Sequence, residues 1–586
     1  MGEIMENTAI SIIVIFCYLV VTGFLAHKGW KQTKNKEDFM LGGRKVHPYI
    51  IAISYGATFI STSAIVGFGG SASMFGMGLL WLTFMNIFVG IFLAFVVWGN
   101  RARHVGQNLG ALTFPEIVGK RFNCRFLQGS FGLLITIFMP LYASVVIIGA
   151  ARMIESTFNL NFNLALIVMT GIVAGYVLFG GLLAVLYTDA LQGTIMAIGM
   201  ILLLVGTYAA FGGVTEAHQS LENFQLTDSY SLLTNKGAPL SVFGHQGFTS
   251  FPTMSLGNTP ANASGLNDTQ GIFWSVLMGL IFGVGIGVLA QPQLAVRCMT
   301  AKSKRDLTKA VGIGGVFILL MTGVAFTVGS LTNAYFEKEG VEVIKSGYDP
   351  TLSNQQIRDM YFKYDEGGKL ISRPSEYVYW TDSAIPEYVN YRFPSWFVIL
   401  FMLTLISAAM STISGQFHAM GTSFGHDFYH VWVKNASEKI NAVTATKIGI
   451  GATVLISLAL GYILPPAIIA RGTTIFFGMC SAVFLPAYTG ALFWRKATRV
   501  GAIVSMVGGF LSWIIWTLFF KVGESEPLRV CQLIFGKPTL LNAKASLTQL
   551  DPFFIAIPIS VALMIIVSLL TKPPEKKLID KAFKGL

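Results

Sequence analysis

Three hydroxyls within four positions, Ser411, Thr412 and Ser414, stand in the stretch LISAAMSTISGQFHAMGTSFGHDFYH, which carries no acid or lysine until Asp427. Hydroxyl and carbonyl oxygens are hard ligands, and a cluster without a carboxylate suits a monovalent cation better than calcium. The bland reading is that each hydroxyl bonds back to a carbonyl one turn earlier. A second dense group, Ser54, Thr58, Ser61, Thr62 and Ser63, leads into GFGGSASMFGMG, Gly67 to Gly78. Gly67, Gly69 and Ala72 fit G-x-G-x-x-A, a variant of the dinucleotide fingerprint. That fingerprint needs a preceding strand, a following amphipathic helix and an acid about 20 residues on. No acid occurs between Asp38 and Glu116, so a nucleotide loop is set aside. The same residues suit a membrane helix opened at its glycines, whose freed carbonyls hold a cation and whose amides hold an anion. Close helix packing through small residues is the competing account.

Other candidates are fewer. Asp189, in FGGLLAVLYTDALQG, lies near the inner end of an apolar run. It reads either as a functional acid or as a helix cap together with Thr188. His418 follows Ser411 by two turns on one face, so it lines an exit path or is a packed polar residue. His426 and His430 have i, i+4 spacing but lack the H-E-x-x-H acid, so no zinc is expected. Cys17, Cys124, Cys298, Cys480 and Cys531 form no C-x-x-C, and no disulfide framework is expected.

The elements that must position these residues are membrane helices. The 586 residues are 53% apolar and 12% charged, with mean hydropathy +0.63. A soluble chain carries about 25% charged residues. Many apolar runs reach the ~18 residues that span a bilayer. The expectation is an all-α polytopic membrane protein with thirteen spans. They lie near 8–26, 47–72, 79–99, 126–154, 161–180, 189–211, 271–293, 310–333, 394–420, 443–465, 468–490, 499–520 and 550–570. The first has acids rather than basic residues upstream and no cleavage site after it, so it is not read as a secretory signal. Most of the 41 lysines and arginines, Arg297 among them, fall on one set of loops when the N-terminus is placed outside and the C-terminus inside. The net charge of +12 is then mostly inner-face anchoring to the lipid bilayer. Nucleic-acid binding is not expected, because the charges are dispersed. Two long outer excursions, 212–270 and 334–393, are lids, binding surfaces or decoration.

Spans 47–72 and 271–293 are both glycine-rich at similar depth and lie five spans apart. Corresponding Gly/Pro-broken spans point to inverted repeats. The odd offset makes the second half enter from the opposite side. The expected organisation is 1–45, a first span and loop; 46–293, the first five-span repeat and the start of the second; 271–498, the second repeat; and 499–586, two further spans and a basic tail.

The stretches LTFPEIVGKRFN (112–123), LFGGLLAVLYTDALQG (178–193), QPQLAVRCM (291–299) and AAMSTISGQ (408–416) together resemble motifs of the sodium/solute symporter family. The likeness runs from about 40 to 500 in the same order. It implies a LeuT-type fold with a 5+5 inverted repeat and about thirteen transmembrane helices. It also implies a carrier in the plasma membrane, working as a monomer unit and not as an enzyme, coupled to Na+. By position the shared sodium site falls on Ala57, Ile60, Ala408, Ser411 and Thr412. A second sodium site in some members would fall on Asp189 and Ser414, but its last position here is Gly415; Asp189 then serves sodium exit. The solute pocket falls on Ser61, Ser63, Ala64, Gly67, Gly69, Thr83 and Asn86. Where sugar carriers place Gln, Glu and Ser, this chain has Ala64, Thr83 and Asn86. The expected solute is therefore a small organic anion, such as a monocarboxylate or pantothenate, or an amino acid such as proline. Arg152 is the nearest fixed cation for a carboxylate. The alternatives are a proton-coupled carrier of the same fold, with Asp189 as the titrating acid, or a sodium/sugar symporter. A channel would need a charged pore ring, which the sequence lacks.

Overall fold

The computed structural model describes residues 2–158, 161–223, 281–344, 363–364, 370–374, 381–433, 435–464, 469–541 and 546–586. Most of the first long excursion, about half of the second, and positions 271–280 of the expected seventh span lie outside them. The described residues are nearly all helical. Ten helices are long and apolar enough to cross a membrane, or twelve if each of two bent pairs is one span.

In chain order the principal elements begin with α1 (Gly2–Gln32) and the short α2 (Lys36–Leu41). A bent pair follows, α3 (Pro48–Phe59) and α4 (Ser63–Ser73). Next come α5 (Gly76–Leu109), the surface helix α6 (Phe114–Arg121), α7 (Arg125–Phe158) and α8 (Phe162–Phe211). The second bent pair is α9 (Ile281–Ala290) and α10 (Pro292–Met299), followed by α11 (Lys304–Lys338) and the short α12 (Thr381–Arg392). The rest are α13 (Ser395–Trp432), α14 (Ala442–Ile463), α15 (Arg471–Phe493), α16 (Arg499–Phe519), α17 (Pro552–Leu570) and the short α18 (Lys576–Ala582). A small three-stranded sheet, β1 (Glu342–Ile344), β2 (Lys363–Tyr364) and β3 (Leu370–Pro374), stands in the second excursion in the order β1-β3-β2.

The 50-residue α8 is about 75 Å long at 1.5 Å per residue, too long for one crossing of a ~30 Å core. Gly181 breaks it, with φ 61° and ψ −161°. The Tyr176 hydroxyl donates to the Met410 carbonyl at 3.1 Å, and Ser414 Oγ lies 3.5 Å from Asp189 Oδ1. Tyr176 and Asp189 would be about 20 Å apart on a straight helix, yet both reach one turn of α13. The chain therefore folds back at Gly181, where an added Cβ would meet the Phe39 ring at 2.7 Å. This gives two spans within one continuous helical stretch, at the positions the hydropathy runs place them.

α13 is the central element. In its most apolar stretch 89% of residues are buried, against 22% in α1 and 28% in α17. It packs on α8, α7, α3 and α14, while α16 and α17 pair with each other at the periphery.

The expected cause of the helix breaks needs correction. The helix is continuous through Gly67 and Gly69, and Gly69 has φ −60° and ψ −42°. The first break is earlier, at Ile60, with φ −89° and ψ 96°, and the pair bends by 54°. The second break is at Gln291, with φ −73° and ψ 123°, and bends by 46°. Pro292 forces it, because the residue before proline is driven out of the helical region. The glycines instead allow close approach. A Cβ on Gly329 of α11 would run into the Gly69 carbonyl, and one on Gly287 into the Phe477 carbonyl.

The motif at 112–116 builds a capping box. Thr113 caps α6, accepting from the Glu116 amide at 3.2 Å, while Glu116 Oε2 accepts from the Leu112 amide at 2.6 Å. Thr113 also donates to Asp427 Oδ1 at 2.7 Å, which pins α6 to the end of α13.

Candidate ion and solute site

The break at Ile60 leaves the last carbonyls of α3 without intrahelical donors, as at any helix end. α13 supplies the donors. Ser411 Oγ donates to the Ala57 carbonyl at 2.8 Å, and Thr412 Oγ1 donates to the Thr58 carbonyl at 3.0 Å and lies 3.4 Å from that of Ala57. Ser411 Oγ is also 3.1 Å from the Ala408 carbonyl, and Thr58 Oγ1 donates back to the Ser411 carbonyl at 3.2 Å. Ala57, Ala408, Ser411 and Thr412 thus converge, all fully buried. The local back-bond to Ala408 exists, but it does not exhaust the hydroxyl. Ile60 lies at the break itself. The donor set is carbonyl and hydroxyl oxygen, which fits a small monovalent cation.

Beside it lies a charged centre. Asp189 is wholly buried and accepts from Ser54 at 2.6 Å, Thr58 at 3.2 Å and Arg297 Nη2 at 2.9 Å, with Ser414 at 3.5 Å. Arg297 also donates to Ser54 Oγ at 2.9 Å and to the Gln293 carbonyl at 2.7 Å. The reading of Arg297 as an inner-loop anchoring charge is therefore corrected: its side chain is 1% exposed and ion-paired. Helix α10 starts at Pro292 and carries Arg297 under the break, so the pair joins α10, α8 and α3. Thr188 bonds back to its own helix, and Asp189 does not act as a cap. A Cβ on Gly415 would stand 2.9 Å from Arg297 Nη2. The position that departs from the two-sodium pattern is where the guanidinium passes.

Ile60, Ser61, Ser63, Ala64 and Asn86 line a cavity at the break, with Phe59, Phe68, Tyr142, Phe326 and Phe477 among its apolar walls. It measures about 20 Å³, room for little more than one water, so a solute needs a more open arrangement. Ser63 Oγ and Asn86 Oδ1 in its wall, and Thr83 Oγ1 one turn before Asn86, are buried with no hydrogen-bond partner among the described residues. Buried polar atoms of this kind are normally satisfied by a ligand or ordered water. Thr83 is not among the residues that line the cavity. Gly67 and Gly69 leave the pocket: Gly67 gives its carbonyl to Ser71, and Gly69 packs against Ile385 and Ala325. Arg152 is also removed as a solute anchor. It pairs with Glu155 at 2.9 Å and covers the Phe162 ring at 4.1 Å.

A family model described as the sodium:solute symporter family matches residues 39–363 and 368–509. This chain belongs to that family. As a sodium:solute symporter it is a sodium-coupled carrier of a small solute and not an enzyme. It is 28% identical over 583 residues to curated sodium/proline symporters of several Staphylococcus aureus strains, covering 97% of this chain and 93% of theirs. Its fold is that of a solved Na+-coupled sialic acid symporter in a substrate-bound outward-open state. The TM-score is 0.68 at 16% identity, over 97% of this chain and 98% of that one.

Two further parts of this symporter escaped sequence reasoning. One is the Arg297–Asp189 pair, whose only signal was an arginine inside a proline-started amphipathic helix. The other is a group at the far end of α13, where His426 Nε2 is 3.1 Å from Glu116 Oε2 and Gln128 donates to Asp427 Oδ1 at 2.8 Å. Burial works to raise the Glu116 carboxyl, but His426, the Leu112 amide and Lys120 outweigh it and hold it at about 2. Among the described residues no three His, Cys, Asp or Glu groups are placed together to hold a metal ion. His418 takes the packed role, donating from Nε2 to the Phe39 carbonyl at 2.9 Å.

Proposed function

We propose that sodium is held by the carbonyls of Ala57, Ile60 and Ala408 and the hydroxyls of Ser411 and Thr412, and that the solute is a small amino or imino acid carboxylate such as proline. The observation that carries the ion assignment is the Ser411 and Thr412 hydroxyls on the Ala57 and Thr58 carbonyls. Sodium at these oxygens ties broken α3 to α13 and pre-forms the solute pocket. Binding of sodium and solute is then reciprocally coupled.

The pocket supports the solute class. Its described walls hold aromatic rings, two serines, a threonine, a tyrosine and an asparagine, with no side-chain cation or acid. A compact apolar body suits the rings. A carboxylate suits the start of α4 at Ser63, where helix amides carry partial positive charge. The sodium/proline relatives favour the same class.

One sodium is enough. A single charge moving through about 100 mV supplies ~2.3 kcal/mol. A tenfold sodium gradient adds ~1.4 kcal/mol, so one ion supports roughly 500-fold accumulation. Arg297 already meets the Asp189 carboxylate, which favours a single ion; Asp189 and Ser414 then serve the exit path. The protein sits in the plasma membrane with its N-terminus outside and acts as a monomer unit.

The test is uptake of labelled proline, a monocarboxylate, pantothenate and glucose into proteoliposomes under an inward sodium gradient, with choline replacing sodium at fixed pH. Sodium-dependent uptake of proline alone is expected. Uptake that survives choline and follows a pH gradient would instead establish proton coupling.

A further inference from the structure

A second cavity, of about 420 Å³, opens where α1 ends, the first leg of α8 ends and α14 begins. Three lysines line it, Lys34, Lys36 and Lys447, and no acid does. Among the described residues none of the three has a carboxylate within ion-pair distance. Two asparagines, Asn35 and Asn441, complete the polar wall. The remaining wall is Thr33, the buried Phe39, Ala442, Val443 and two outward-facing aromatics, Trp30 at 51% and Phe179 at 65% exposed.

This combination is unusual for a solvated surface. Lysines on an ordinary exposed face alternate with acids. Here three converge from two separate chain segments with no acid in the lining; Asp38 stands behind it, its carboxylate accepting from the Lys34 amide at 3.1 Å, and Glu116 and Asp427 act on Lys36 from farther away. Lys447 Nζ lies over the Phe179 ring, 5.6 Å from its centroid, a cation–π contact. Burial pulls Lys36 below the ordinary lysine range. An exposed Trp at a membrane-helix end marks the headgroup level of a bilayer, and the exposed Phe179 adds apolar surface beside it. An anion at that level, attached to an apolar chain, satisfies both halves of the wall.

We infer that this cavity binds the phosphate headgroup of one anionic phospholipid, with Lys34, Lys36 and Lys447 on the phosphate and Trp30 and Phe179 against the acyl-glycerol region. Charge complementarity sets the class, and the lipid-facing aromatics favour a lipid over free phosphate. The site has a route to the transport core. Phe39, which also lines the cavity, gives its carbonyl to His418 on α13. The inference does not depend on which solute is carried.

The test is native mass spectrometry of the full chain in detergent, titrated with phosphatidylglycerol, phosphatidylcholine or inorganic phosphate. One phosphatidylglycerol should be retained, with phosphatidylcholine much weaker. Lys34→Gln, Lys36→Gln and Lys447→Gln together should weaken it roughly 100-fold, taking about a tenfold step for each one to two charges lost. The triple Lys→Arg variant should retain the lipid. Lys447→Gln alone, which leaves the α1–α2 link untouched, should weaken it about fivefold and covers the case in which the triple variant does not fold. Equal retention of phosphatidylcholine, or unchanged retention in Lys447→Gln, overturns the site. Displacement of the lipid by millimolar inorganic phosphate overturns the lipid as its occupant.

Discussion

Removing the Thr412 hydroxyl, and only that oxygen, gives the sharpest test of how this symporter holds its ion. A hydrogen-bond-type contact to a charged group is worth ~1.5–3 kcal/mol. Thr412→Ala forfeits one such contact to sodium. It also forfeits the neutral bond to the Thr58 carbonyl, 3.0 Å long, which competes with the ion. That bond is worth ~0.5–1.5 kcal/mol, so the net loss on the sodium-bound side is about 1–2 kcal/mol. This converts to a rise of about 5–30-fold in half-saturating sodium. Ser411→Ala should behave alike, since its bond to Ala57 is 2.8 Å. The double variant should fall short of the product, because both hydroxyls meet the Ala57 carbonyl and shared partners break additivity. Thr412→Ser keeps the oxygen and loses a methyl, so its sodium dependence should stay within about threefold of the unaltered protein. The assay is initial uptake rate against external sodium, with choline holding ionic strength and rates normalised to inserted protein. An unshifted sodium curve for Thr412→Ala, or a Thr412→Ser variant as impaired as the alanine, refutes the assignment.

Three further outcomes are expected. Asp189→Asn and Arg297→Gln should each destabilise strongly, by about 3–5 kcal/mol, since each leaves a buried charge unpaired. The double variant should lose less than the two singles combined, and a denaturation cycle showing simple additivity would dissolve the pair. Glu116 is held at about 2, below its ordinary value of 4.5, so its contribution is complete above about pH 4.5 and disappears as pH falls toward 2. Melting profiles of the unaltered protein and Glu116→Gln should therefore differ at pH 7, draw together below about pH 4.5 and converge only near pH 2; a gap that widens on acidification contradicts the ion-pair account. Gly329→Ala should abolish folded protein, because its Cβ meets the Gly69 carbonyl, a backbone atom that no rotamer change can move. Normal yield and transport would show that α4 and α11 are not in close contact.

The many-span membrane architecture, the all-helical class and the hydroxyl cluster on α13 were legible in the chain, since bilayer thickness and side-chain chemistry act on local sequence. Ala57, Ala408, Ser411 and Thr412, which converge at the proposed ion site, were singled out through likeness to a family. Periodicity cannot say that Ser411 lies 2.8 Å from a carbonyl 354 positions away. The glycines misled because one residue type serves two purposes. Gly67 and Gly69 looked like a helix opening, and tertiary contact made Gly69 a packing surface for α11 and α12. Ile60, which opens the helix, carries no local signal at all. Arg297 looked like an inner-loop charge because its partner lies 108 positions earlier. A buried ion pair is stable only when both charges and their donors arrive together. That meeting is a property of the packed bundle, and no stretch of the sequence contains it.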